Sequence, residues 1–143
     1  MNTMRVLAAV PALLLSSFLH AELLVEDAWV RGLPPGVANT SAYMTLRNPS
    51  GDDVVLTGAS SPLAGQVQLH MTANHDGTLH MTHVETLTIP ARDEVRLQSG
   101  GIHLMLMQLK SAPVTDSEVE LTLHFDDGTS QTLQLPVRSV LDE

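Results

Sequence analysis

The sequence predicts an all-β fold, a single-domain β-sandwich or barrel. Three observations lead there. After residue 21 the chain breaks into about nine short β-rich segments, roughly 8–12 residues apart. Clusters of Gly, Pro, Asn and Asp separate them. No stretch of that region repeats its apolar residues with a helical period. At 143 residues the chain is one domain long, and large enough to bury a real core.

Leu24 to Val30 opens the domain, and Arg31-Gly32-Leu33-Pro34-Pro35-Gly36 breaks it. Ala42 to Arg47 alternates apolar with polar, then Asn48-Pro49-Ser50-Gly51-Asp52 turns. Val54 to Gly58 and Gln66 to Met71 are the next strands. Asn74-His75-Asp76-Gly77 predicts a turn with Asp-Gly at its end, and Leu79 to Thr86 is the returning strand, closed by Pro90. Arg92 to Leu97 is a polar strand, Ser99-Gly100-Gly101 a loop, and Ile102 to Leu109 a strand. Val119 to Phe125 and Thr129 to Val137 flank Asp127-Gly128, a second hairpin signal.

Residues 1–21 are set apart as an export signal. Arg5 is the only charge before Glu22, an apolar run covers Val6 to Leu15, and Ala21 offers a small residue for cleavage. The run is too short to span a bilayer, so residues 22–143 are expected to be the mature, exported domain, without a membrane span. The full chain carries 7 basic and 16 acidic residues, a net charge of −9. That balance repels phosphate and argues against nucleic acid or an anionic membrane surface. The chain has no Cys, which excludes disulfides, thiolate zinc, iron–sulfur clusters, a cysteine nucleophile and blue copper. Asp52-Asp53 and Asp126-Asp127 are turn acids, and nothing pairs them for general acid–base work.

What remains is an excess of soft and borderline donors. There are 7 His and 7 Met beside only four aromatic residues, Phe18, Trp29, Tyr43 and Phe125. In a strand over Ile102 to Leu109, Leu104 and Leu106 supply the core face, while His103, Met105 and Met107 share the other. The turn at 74–77 brings His70 near Met81. Three segments thus offer two imidazoles and two thioethers, His70, Met81, His103 and Met105. Thioether sulfur is soft and neutral, which suits Cu(I) and its mimic Ag(I). Zn²⁺ prefers thiolate, imidazole and carboxylate, and Ca²⁺ or Mg²⁺ requires oxygen. Methionine also serves in an exported protein, whose exposed thiols would not stay reduced. The remaining candidates read differently. His80 alternates away from Met81, and His83 shares the face of Met81 as a spare ligand or supporting donor. Met71 reads as packing, Met107 as a hydrophobic wall, His75 as solvated, His124 as structural and Trp29 as a packing residue.

The spacing His70, ten residues, Met81, twenty-one residues, His103, one residue, Met105 resembles the H-x10-M-x21-H-x-M pattern of the PCuAC periplasmic copper chaperones. Tyr43-Met44-Thr45-Leu46 with Asn48, Ile89-Pro90-Ala91, Gly100 to Met107 and Leu121 to Phe125 extend the resemblance from about Val25 to Val137. It implies a cupredoxin-like Greek-key β-sandwich with His70, Met81, His103 and Met105 as Cu(I) ligands. It also implies a non-enzymatic monomer that carries copper toward cytochrome c oxidase. The implied partners are a Sco-type thioredoxin-like assembly protein or cytochrome c oxidase subunit II. Many relatives carry extra Met soon after the first His and just before the matching Met, where this chain reads Met71-Thr72-Ala73-Asn74 and Leu79-His80; with no His/Met-rich tail after them, a second, Cu(II) site is not expected. The alternative class is an exported copper redox or electron-transfer protein. Two His and two Met without Cys disfavour it, because they hold copper strongly in the monovalent state.

Overall fold

The computed structural model describes residues 22–139; the expected signal segment lies outside the described residues. Ten strands are present and the described residues contain no helix. They are β1 (Leu24–Arg31), β2 (Thr40–Arg47), β3 (Val54–Ser60), β4 (Ala64–His75), β5 (Thr78–Val84), β6 (Leu87–Ile89), β7 (Glu94–Leu97), β8 (Ile102–Leu109), β9 (Glu118–Phe125) and β10 (Ser130–Arg138). The sheet runs β5-β4-β8-β2-β1-β10-β9-β3-β6, with β7 beside β2. A bridge from Ala59 in β3 to Val67 in β4 curls it back on itself. The result is a barrel-like sandwich of seven strands with β5, β6 and β7 attached at its margins. Among the described residues only the β1–β10 pairing is parallel. The expected all-β, cupredoxin-like sandwich is the fold observed.

The core follows the two-residue period of the strands. Leu104 and Leu106 of β8, Val67 and Leu69 of β4, Ala42, Met44 and Leu46 of β2, and Leu121, Leu123 and Phe125 of β9 all point inward. Strand β2 differs in that its opposite face is buried as well, through Ser41, Tyr43 and Thr45. It lies between β8 and β1, and on the His/Met face of β8 His103 is buried while Met105 and Met107 stay half-buried.

Two local features differ from the sequence reading. The segment read as one strand from Leu79 to Thr86 is two elements. The chain leaves the β4–β5 hairpin at Val84, bends at Glu85, and joins β3 as β6. The two Asp-Gly turns also differ from each other. At 76–77 both residues have positive φ, 52° for Asp76 and 80° for Gly77, the pairing that a two-residue type I′ hairpin requires. At 127–128 only Gly128 is left-handed, with φ 83°. Asp127 instead accepts bonds from the backbone N–H and hydroxyl of Thr129, at 2.9 and 2.6 Å, and the loop is longer. Consequently β4 continues to His75, and the hairpin projects past the core.

Asn48 anchors the turn after β2. It is 1 % exposed, and its side-chain amide donates to the carbonyls of Asp52 and Ile89 at 2.8 and 3.0 Å. Its Oδ1 accepts from the Ser50 N–H and hydroxyl at 3.1 and 2.7 Å. Asn48→Ala should therefore cost about 2 kcal/mol, since buried partners lose their bonds; chemical denaturation would read this as a lower midpoint at unchanged slope.

Candidate metal centre

The site is built from one row of residues that crosses five strands. His83 of β5 lies opposite His70 of β4, and His70 lies opposite His103 of β8. Tyr43 of β2 continues the row, its ring centre 6.4 Å from that of His103. Trp29 of β1 closes it, opposite Tyr43 and 4.9 Å away between ring centres. Cross-strand neighbours in antiparallel sheets share a face, so three imidazoles and two aromatic rings line one side. The ring centres of His70 and His103 are 6.2 Å apart and those of His70 and His83 6.1 Å apart. A metal held about 2.0 Å from two imidazole nitrogens places ring centres roughly 4.5–6.4 Å apart, depending on the ligand angle. Both pairs fall in that range.

Hydrogen bonds fix which nitrogen of each central imidazole carries a free lone pair. His103 Nδ1 lies 3.1 Å from the Gly101 carbonyl, which can only accept, so Nδ1 carries the proton and Nε2 the lone pair. His70 Nε2 lies 2.9 Å from Gln68 Oε1, so it donates there and leaves the lone pair on Nδ1. The two remaining nitrogens, His70 Nδ1 and His103 Nε2, are buried and have no hydrogen-bond partner. Buried acceptors without partners are rare and costly, whereas ligating histidines characteristically donate their second N–H to a carbonyl or amide oxygen. The donor set therefore fits a metal ion. His103 itself is 3 % exposed, although it lies on the face of β8 opposite the core leucines. The buried Tyr43 ring lies beside it.

The proton competes weakly at His70. Its pKa lies below the ordinary 6.5, first because burial disfavours the charged ring, then through repulsion from His103 and His83. A folded pKa below the unfolded value means stability is intact above about pH 6.5 and is lost as pH falls through it toward the folded value. Thermal unfolding should show the midpoint falling between about pH 7.5 and about pH 5.5, with a shallower fall in His70→Gln.

The sulfur donors are placed less evenly. Met105 lies opposite Gln68, a diagonal neighbour of His70 and two residues from His103 on the same face. The Ser41 hydroxyl is 4.0 Å from its Sδ. Met81 lies opposite Thr72, the other diagonal neighbour of His70, and is 59 % exposed. Diagonal neighbours are about 7–8 Å apart, within reach of long side chains. The structure thus gathers His70, His103 and Met105 and sets Met81 at the rim, two strands across and four residues along from Met105. Met107 lies opposite Gln66, beyond the imidazole row. Among the described residues no group of three or more His, Cys, Asp or Glu is arranged to hold a metal. Met105, on the same face as both central imidazoles, offers a donor of another kind. His83 takes a more central place than its sequence position suggests, because register, not spacing, sets it against His70. The supporting roles of Gln68, Ser41 and the Gly101 carbonyl had no signal in the sequence, since each depends on a cross-strand or two-residue geometry. His124 bonds Ser60 across β3 and β9 at 2.8 Å, a structural tie as expected.

Comparison with known proteins shows the family and the fold. The LpqE-like family, described as putative lipoproteins, matches residues 23–137. A putative lipoprotein of Leifsonia xyli subsp. xyli is 32 % identical over 115 residues, which span 80 % of this chain and 68 % of that protein. The solution structure of CuI-DR1885 from Deinococcus radiodurans is 40 % identical, with a TM-score of 0.65, over 80 % of this chain and 76 % of that one. The copper-bound PCuAC domain from PmoF2 shares the fold at 22 % identity, with a TM-score of 0.68 over 80 % of this chain and 91 % of its own. The chain is a member of the LpqE-like family and has the fold of PCuAC domains.

Proposed function

We propose that this protein is a periplasmic Cu(I) chaperone that binds one copper through His70, Met81, His103 and Met105. The observation that carries the reading is the pair of buried, unpartnered lone pairs on His70 Nδ1 and His103 Nε2, with Met105 beside them. Two neutral imidazoles and neutral sulfur leave bound Cu(I) its positive charge, a moderate trap suited to an ion that must be handed on. The net charge of −9 draws the cation in at long range. The copper-loaded relative from Deinococcus radiodurans supports the same ion here. Met81 completes the set when the exposed β5 edge bends inward, and Leu79, 69 % exposed, offers no packing that would resist the movement. In this reading no bond of a substrate is broken and the protein is not an enzyme. Its load goes to copper-enzyme assembly, foremost the copper centre of cytochrome c oxidase, through a Sco-type thioredoxin-like protein or subunit II itself.

Anaerobic titration against a Cu(I) chelator, with X-ray absorption on the product, tests the binding. The expected result is one equivalent of copper with nitrogen and sulfur scatterers together. A copper shell of nitrogen and oxygen alone would overturn it.

A further inference from the structure

The β4–β5 hairpin has two faces, and the metal centre uses one. The other carries Met71, Ala73 and His75 on β4, with Thr82, His80 and Thr78 opposite them. His80 faces Ala73 and is therefore the diagonal neighbour of His75. The two rings are 6.0 Å apart between centres and tilted by 50°. That spacing lies within the range of roughly 4.5–6.4 Å that two imidazoles adopt on one metal ion. Both side chains are exposed, and among the described residues neither ring is tied to anything but the other.

The backbone holds this pair in place. Asp76 and Gly77 form the type I′ turn, and the pairing continues without a slip from His75↔Thr78 to Leu69↔Val84. Register in a hairpin is set by its turn, so the two imidazoles meet at a fixed offset and need little ordering to chelate. Closure through a short rigid link gives the second ligand a high effective concentration. The hairpin projects past the core, which leaves room for water to fill the remaining coordination positions.

We propose that His75 and His80 form a second metal site, on the face of the hairpin opposite the Cu(I) centre, which takes a borderline divalent ion with Cu(II) foremost. Imidazole suits Cu(II), which heads the affinity order of the first-row divalent ions. No thioether is required, which distinguishes this site from the first. Met71 lies on the same face as the other diagonal neighbour of His80 and is 46 % exposed. It stays outside the Cu(II) shell because soft sulfur is a poor match for that ion. The site does not depend on the proposed Cu(I) function, because none of its ligands is shared.

The test is a titration of the protein with Cu(II) at neutral pH, followed by electron paramagnetic resonance with nitrogen hyperfine resolution. Three forms are compared: the unaltered chain, His75→Asn/His80→Asn and His70→Asn/His103→Asn. The unaltered chain and the His70→Asn/His103→Asn form should both give a signal with two imidazole nitrogens. In His75→Asn/His80→Asn that signal should vanish, with affinity down at least about tenfold, while Cu(I) binding is unchanged. A two-imidazole signal that survives in His75→Asn/His80→Asn overturns the proposal. So does one lost only from His70→Asn/His103→Asn, or the absence of Cu(II) binding by the unaltered chain. Failure of the unaltered chain to bind Cu(I) would count against the chaperone reading and leave this one standing.

Discussion

Met81→Ala/Met105→Ala is expected to lower Cu(I) affinity at least about 100-fold, because groups that merely orient metal ligands already contribute 10- to 100-fold and this pair would supply all the sulfur. The fold should survive. Met81 is 59 % exposed, and Met105 lies on the face away from Leu104 and Leu106, which do the packing. Selectivity should change with affinity. The imidazoles of His70 and His103 remain, so a borderline divalent ion such as Zn²⁺ should bind about as before while the soft monovalent ion is lost. The single variants separate the contributions. Met105 sits beside both central imidazoles, whereas Met81 must be carried inward by β5, so Met81→Ala isolates that movement. Competition against a Cu(I) chelator reads all three variants. Unaltered affinity in the double variant would sink the chaperone reading at its base.

Leu104→Ala should be the most destabilising single truncation near the site, at about 3–4 kcal/mol. Its side chain is fully buried, and its strand neighbours are Ala42 on β2 and Leu69 on β4. It lies where three central strands meet. A loss of that size should lower the thermal midpoint by roughly 10 °C. Leu104 also stands between His103 and Met105 in sequence, yet points the other way. The folded protein should therefore keep its Cu(I) affinity, and calorimetry with copper titration on one preparation would show the separation. Loss of copper binding in the folded variant would mean that the two faces of β8 are coupled through the backbone.

The alternation in His103-Leu104-Met105-Leu106-Met107 was sufficient to assign both faces of β8, because a strand has no other way to dispose neighbouring side chains. The Asp-Gly pair at 76–77 likewise located the hairpin, since few other residues accept positive φ twice in succession. The break between β5 and β6 was not legible. Glu85-Thr86 carries no Gly or Pro, and the chain bends there because Leu87, Thr88 and Ile89 find partners on β3. The burial of His103 was equally hidden, since it depends on Tyr43, sixty residues earlier, lying across it.

By itself the sequence determined the fold class and the chemical character of the site, because strand period, turn residues and donor softness are properties of local chemistry. Only the tertiary structure decided which donors meet. It set His83 against His70, oriented the two central rings through Gln68 and Gly101 so that their free lone pairs are buried, and left Met81 at the rim. It also put His75 and His80 together on the hairpin's other face. The physical reason is register: a shift of one residue between strands exchanges every side chain between faces, and register is fixed by packing across the whole sheet, which no single segment encodes.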